Sequence, residues 1–243
     1  MIRVGRQKTL YGKPQNPEYS NFTPIVCLTK SSKYGSLGPY CIEINGKIFE
    51  NYWQFSKIYT TVPYSKQRYS RFDPKVIWEH PAETHISLEG EPTEEYWNWR
   101  KKGFENPYPV RYPVGFHHRK NCVSALFEQN PGVFYWLDYI ESRMFIYLSG
   151  YIDSVKKEPL FVSLQSRLKQ GENLLIIEVD GPHQESLKYY QETYGVDDSF
   201  IENDTILCTK KNLDIMLNDI KHPFGHGYCL AWALLDLPKK HLQ

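Results

Sequence analysis

Apolar and polar positions along this chain fall into short, separate patterns rather than one sustained period. Pro24-Ile25-Val26-Cys27-Leu28-Thr29 is a β-branched apolar run of the buried-strand type. Cys41-Ile42-Glu43-Ile44 alternates like a half-buried or edge strand. Asn45-Gly46, directly after it, is the strongest short hairpin signal. The pattern predicts a helix from about Glu50 to Thr61. It ends before Pro63, because the residue preceding a proline is steered out of the helical region. Thr93 caps a second helix that carries acidic residues in its first turn and stops at Gly103. Val133–Leu137 reads as a strand after the Asn130-Pro131-Gly132 turn. Apolar residues at helical spacing run from Ser142 to about Lys156. Pro159 opens a helix that runs to Lys169 and stops at Gly171.

Asn173 to Val179 is the clearest buried strand, and it ends in the turn Asp180-Gly181-Pro182. Ser186–Thr193, Leu213–Ile220 and the stretch after Pro223-Phe224-Gly225-His226-Gly227 read as helices. The connecting stretches are of a different character. Residues 1–22 read as a polar lead-in, residues 30–40 as a loop, and residues 62–92 as an insertion with little regular structure. Residues 106–115 hold three prolines and read as loop. The expected fold is α+β: a helix-rich single domain around a small sheet, spanning 23–238, with an insertion around 62–130.

Composition narrows the classes. The 243 residues suffice for one generous domain or two small ones. Twenty-nine Lys and Arg face 28 Asp and Glu, so no global charge favours nonspecific nucleic-acid binding, and only a local basic patch can supply it. The N-terminus lacks a signal-peptide core, and no run of 18 apolar residues exists, so no membrane span is expected. Five cysteines, an odd number without Cys-x-x-Cys spacing, point to a reducing cytoplasm rather than to disulfides or zinc. Aromatics reach 15 %, with 19 Tyr among them, and can stack on bases or sugars or simply fill a core.

Several constellations can carry chemistry. Glu50, Gln54 and Lys57 share one helical face at i, i+4 and i+7, interleaved with aromatics such as Trp53. The carboxylate can orient water or face a developing positive charge, and the lysine can hold phosphate. The alternative is an exposed Glu–Lys face. Asp180 and Gly181 stand at a strand C-terminus, where ligands often sit, or form an ordinary turn. Gly225-His226-Gly227 exposes backbone N–H groups to an anion at a helix start, with His226 able to move a proton, or is merely a tight start to the helix. Arg143 can clamp phosphate or pair with Glu141. His117-His118-Arg119-Lys120 is a basic cluster that contacts phosphates or lies in a solvated loop. No zinc, Walker, Rossmann or nucleophile-elbow pattern occurs, so no metal or cofactor is expected. Carboxylates, aromatics and anion-holding backbone are what hydrolysis through a cationic sugar transition state requires.

Tyr34-Gly35, the strand Ile42-Glu43-Ile44, the turn Gly46-Lys47 and the helix Glu50-Asn51-Tyr52-Trp53-Gln54-Phe55-Ser56-Lys57 together resemble the NADAR family, named for its association with NAD and ADP-ribose. Phe224-Gly225-His226-Gly227 and the apolar helix after it are similar to the family's C-terminal stretch. The likeness covers about 35 residues in the first block and about 14 in the second. It implies a NADAR-like domain and an N-glycosidase that hydrolyses a base–sugar bond, as in removal of ADP-ribose from modified nucleobases. On that likeness Glu50 is the catalytic carboxylate, and Lys57 and the turn formed by Gly225 and Gly227 are ligand contacts. The reading of the residues adds Asp180 as a second acid or ribose-binding group, and Tyr34, Gly35, Trp53, Gln54, Arg143 and His226 as further expected substrate contacts. The partner is a nucleotide-like or ADP-ribosyl small molecule. A similarity of Arg143–Tyr151, Asp180-Gly181 and Phe224-Gly225-His226 to bacterial and phage-associated proteins adds modified DNA as an alternative substrate, and a non-catalytic ADP-ribose or NAD-binding module is the third reading.

Overall fold

A computed structural model describes residues 1–29, 31 and 33–240 of the chain. Lys30 and Ser32, part of the expected loop at 30–40, lie outside the described residues. The fold is α+β. Internal contacts divide the chain into two units: Met1–Ile42 with Leu148–Gln243, and Glu43–Tyr147. Among the described residues no helix is long and apolar enough to cross a membrane.

The first unit is organised by a four-stranded sheet in the order Thr205–Leu207, Ile2–Arg6, Leu174–Glu178, Thr23–Val26. The three strands Ile2–Arg6, Leu174–Glu178 and Thr23–Val26 run parallel, and Thr205–Leu207 joins antiparallel. Leu174–Glu178 has a neighbour on each side and is buried throughout, which is why it reads as an unbroken apolar run. Residues 1–22 are not a loose lead-in. Ile2–Arg6 is an inner strand, with Ile2 and Val4 in the core. Five residues are too few to show a period, and Arg3 masks the apolar character. Arg3 is nonetheless buried, because its guanidinium donates to Thr205 Oγ1 at 2.8 Å and pairs with Glu202 at 3.1 Å.

The helices of this unit follow the sequence pattern. Pro159–Lys169 starts on its proline, Leu187–Tyr194 ends on Gly195 in the left-handed region, and Lys210–Asn218 is capped by the Thr209 hydroxyl. The last helix, His226–Leu234, is buried on every side from Gly227 onward, as a helix apolar all round must be. It packs against Ser149–Val155 and against the strands Ile2–Arg6 and Leu174–Glu178.

The second unit opens with the expected hairpin. Glu43–Ile44 pairs antiparallel with Lys47–Ile48, and Asn45 (φ 50°) and Gly46 (φ 72°) both take the left-handed backbone that such a two-residue turn demands. The following helix is Phe49–Phe55, shorter than expected. Beyond Ser56 the chain becomes the strands Lys57–Tyr59 and Thr61–Val62. Ile58, Tyr59, Thr61 and Val62 are β-branched or aromatic, and pairing of Lys57–Tyr59 with Cys122–Asn130 outweighs continuation of the helix. Residues 62–92 also carry regular structure. Ser65–Arg68 pairs with Val76–His80, and Glu83–Thr84 pairs with Thr61–Val62. Prolines at 63, 74 and 81 punctuate these strands and made them look irregular.

This supposed insertion supplies much of the core of its unit. Phe55, Tyr59, Trp78, Tyr96 and Trp99 pack together with Val110 and Leu126. Phe55 stands at the centre, with ring centroids 4.8 Å from Trp78 and 4.6 Å from Trp99. Glu94–Phe104 can approach it only because position 103 has no side chain. A Cβ there would lie 2.1 Å from two Phe55 ring carbons. Two tryptophans prevent Phe55 from retreating. Gly103→Ala is therefore expected to destabilise the chain by about 2 kcal/mol or more, at the upper end of overpacking costs, although alanine is the better helix former. Urea unfolding measures this, and a neutral or stabilising result rules out the tight contact.

Candidate functional site

The candidate residues fall in both units. Trp53, Gln54, Lys57, Arg143 and Glu50 belong to Glu43–Tyr147; Tyr34, Gly35, Asp180, Gly225, His226 and Gly227 belong to the other unit.

In the Glu43–Tyr147 unit the expected polar face is present as a hydrogen-bonded chain. Gln54 Nε2 donates to Glu50 Oε1 at 2.9 Å, and Lys57 Nζ donates to Gln54 Oε1 at 3.0 Å. One amide thus links a carboxylate to an ammonium, using its donor on one and its acceptor on the other. Glu50 and Gln54 are buried. Lys57 comes from the strand after the helix, so its position owes more to sheet pairing than to helical spacing. Its ammonium lies 4.5 Å from the Trp53 ring centroid. Burial pulls the Lys57 pKa down, against Cys122 and Glu50, which raise it. Asn51, between the site residues in sequence, is structural. Its amide donates to the carbonyls of Asn106 and Tyr108 and its oxygen accepts from Val110 N at 2.8 Å, clamping the proline-rich loop.

Lys57 and Trp53 open onto a cavity of about 300 Å³. Its wall also holds Arg119, Lys120, Asp138 and Tyr139, with Ala125 and Leu137 as its apolar part. The lining thus combines three basic side chains, one carboxylate and two aromatic residues. Arg143 is buried and stands behind Tyr139. Its guanidinium lies 4.3 Å from that ring's centroid and donates to the hydroxyl at 2.7 Å. Burial pushes the Cys122 thiol up, against Lys57, so a thiolate nucleophile is not prepared here. Glu50 is not on the cavity wall. It stands one Gln54 side chain behind Lys57.

In the other unit the expected anion-binding turn is filled by the chain itself. Glu178, the last residue of the buried strand, accepts from Gly227 N at 3.0 Å and faces His226 Nδ1 at 3.2 Å. A Cβ on Gly225 would lie 2.3 Å from Glu178 Oε2, and one on Gly227 would lie 2.7 Å from Oε1. The two glycines admit this carboxylate, so the expectation that Gly225–Gly227 holds a ligand phosphate is corrected. His226 Nε2 meets the Cys27 carbonyl at 2.7 Å, an acceptor only, so that nitrogen carries a proton. Burial pulls the His226 pKa down, but Glu178, the Cys27 carbonyl and Asp180 outweigh it, and the net shift is upward. Sequence reading missed Glu178. Its signal was a carboxylate closing an otherwise apolar strand, overshadowed by the more conspicuous Asp180.

The remaining candidates in this unit also have structural partners. The Tyr34 hydroxyl accepts from Arg167 at 2.8 Å, and Arg167 in turn forks onto Glu172. A Cβ on Gly35 would lie 2.8 Å from the Leu28 carbonyl. The close approach allowed by Gly181 is to the chain's own strand, at 2.7 Å from Gly5 and Arg6 backbone atoms. Asp180 is half-buried.

Comparison with protein-family models, with curated proteins and with solved structures gives no match for this chain.

The His226–Glu178 pair gives stability a definite pH dependence. A raised folded pKa means that the contribution is complete below the unfolded imidazole value near 6.5 and is lost as pH rises through the folded value. Glu178→Gln keeps an acceptor for Gly227 N but removes the charge. The variant is expected to be less stable than the native chain by roughly 1–3 kcal/mol at pH 6, the range of a hydrogen bond to a charged group. The gap should narrow toward pH 9. Urea unfolding of both proteins across that range is the measurement, and a pH-independent gap would show that His226 is uncharged in the fold.

Proposed function

We propose that the chain is an N-glycosidase that hydrolyses the base–sugar bond of a nucleotide-like, phosphate-bearing substrate, in line with the NADAR resemblance. The single observation that carries this reading is the Glu50–Gln54–Lys57 chain ending at a cationic, aromatic-walled cavity. Lys57, Arg119 and Lys120 supply charge for a phosphate or diphosphate. Trp53 and Tyr139 supply faces for a base or sugar. Glu50 is the carboxylate that stabilises an oxocarbenium-like centre or activates water.

Glu50 lies behind Gln54, and the hydrogen bonds suggest how it comes into play. A phosphate that takes the Lys57 ammonium releases Gln54 Oε1. The amide is then held only through Glu50 and can turn aside, which opens the carboxylate to the bound sugar. Asp180, in the other unit, is not needed for this step. With no disulfide among the five cysteines, a reducing cytoplasm suits the chain.

Two observations favour second readings. The distance of Glu50 from the cavity wall suits a module that binds ADP-ribose or NAD without turnover. The position of Arg119 and Lys120 on the wall suits a modified base presented on DNA. One experiment separates all three. The protein is incubated with free nucleotides, ADP-ribosylated nucleobases and modified DNAs, and released base is read by mass spectrometry. A substrate is expected among the nucleotide or ADP-ribosyl compounds. On it, Glu50→Gln should lower kcat by about 10²–10³, the cost of removing one preorganised electrostatic group. Lys57→Met should raise KM by about 10–100-fold, as loss of a charged hydrogen bond would. Full activity of Glu50→Gln ends the assignment. Thermal stabilisation by ADP-ribose with no base released from any compound establishes the binding module instead.

A further inference from the structure

We propose that Ser186, His222 and Asp219 form a second centre, an acyl-transfer triad that acts on carboxylic esters. All three belong to the unit that contains the four-stranded sheet. Ser186 Oγ lies 2.9 Å from His222 Nε2, and His222 Nδ1 lies 2.6 Å from Asp219 Oδ2. A hydroxyl on one imidazole nitrogen and a buried carboxylate on the other is the arrangement that turns serine into a nucleophile. The residues are 33 and 3 positions apart and follow no motif, so sequence reading missed them.

The environment of each group suits its role. Asp219 is fully buried and is held by Tyr190 OH at 2.7 Å, Tyr189 OH at 2.8 Å and Lys221 N at 2.9 Å, in addition to His222. Burial pushes its pKa up, but these donors outweigh it and the net shift is downward, so it remains a carboxylate. Such an anion fixes the His222 proton on Nδ1 and leaves Nε2 to accept from serine. Ser186 is half-buried, between the short turn Gln184–Ser186 and the helix Leu187–Tyr194. Beside the pair stands His183, its ring centroid 6.1 Å from that of His222. His183 Nδ1 is engaged elsewhere, 2.7 Å from Arg6 Nη1 and 3.3 Å from Glu185 Oε1.

The chemistry balances with these groups and water. Ser186 Oγ bonds to the ester carbon while its proton passes to His222 Nε2. The carbonyl electron pair returns and expels the alkoxide, which leaves with that proton as an alcohol. Water then repeats the sequence on the acyl-serine, giving the carboxylic acid and restoring the hydroxyl.

The test uses the full chain and a fluorophosphonate, which loses fluoride to an activated serine oxygen. Intact-mass and peptide-mass spectrometry are expected to show one adduct, on Ser186, and p-nitrophenyl acetate should be hydrolysed by the native chain and not by Ser186→Ala. Asp219→Asn and His222→Gln, with folding checked by circular dichroism, should label at least a hundredfold more slowly. Because Asp219 is buried and its variant can fail to fold, Ser186→Cys provides a separate reading. Its thiol should react with iodoacetamide at least tenfold faster than a cysteine placed at exposed Ser199. Absence of an adduct under conditions that fully label a serine hydrolase in the same tube overturns the proposal. So does an adduct on another residue, a folded Asp219→Asn that labels at the native rate, or a Ser186→Cys thiol no faster than the control.

Discussion

The carboxylate of Glu178 on the first turn of the last helix is the contact from which the sheet-containing unit is best understood. A buried helix start leaves N–H groups that water cannot reach, and each unsatisfied donor is costly. Here a residue of the central strand reaches across and accepts from Gly227, while His226 neutralises the charge so introduced. The arrangement binds the innermost strand to the innermost helix. It also explains two glycines at once, since any side chain at 225 or 227 would occupy the space of the carboxylate oxygens. Removing one member of such a pair leaves the other as an uncompensated buried charge.

The Glu43–Tyr147 unit solves a similar problem with a neutral intermediary. Glu50 and Lys57 do not meet directly. Gln54 stands between them, its amide polarised from both ends. A direct ion pair would be strong and inert. An amide bridge is neutral and occupies only one of the three N–H donors of the ammonium. In the proposed function, the other donors meet a phosphate at the cavity, with the carboxylate behind them. The aromatic core beneath, with Phe55 wedged between Trp78 and Trp99, keeps the helix and strand that carry these residues in fixed relation.

Local rules were legible and long-range partnerships were not. Asn45-Gly46 announced its turn because the backbone requirement lies in the two residues themselves. The strand at 174–178 and the start of the helix at 94–104 were legible, from an unbroken apolar run and from the Thr93 cap, whereas Gly103 is no stop: the helix continues through Phe104, and the glycine makes room for Phe55. Ile2–Arg6 was hidden because it is short and because Arg3 is buried through partners two hundred positions away. Lys57 does join Gln54 and Glu50, but from a strand rather than by helical spacing, since the chain has left the helix before reaching it. The cavity was half legible: Arg119 and Lys120 stood out as a basic cluster, whereas Asp138 and Tyr139 gave no signal. Strand Cys122–Asn130, which brings its wall to Lys57, went unnoticed.

Glycines and helix starts suggest anion sites in a sequence, but the anion can be the protein's own. At Gly225–Gly227 the Gly227 N–H is already matched by Glu178, whose oxygens fill the space beside both glycines. At Ser186 and His222 the reverse holds. No pattern drew attention to them, yet a buried carboxylate receives four hydrogen bonds, one of them from an imidazole whose other nitrogen meets a hydroxyl. The distinction lies in what each polar group faces. Glu178 faces the backbone and a histidine and closes the fold around itself. The Asp219 network instead ends on a half-buried hydroxyl, the atom that the proposed triad would use. Sites are therefore better sought where a chain of satisfied groups ends on a reactive atom than where a motif leaves donors apparently vacant.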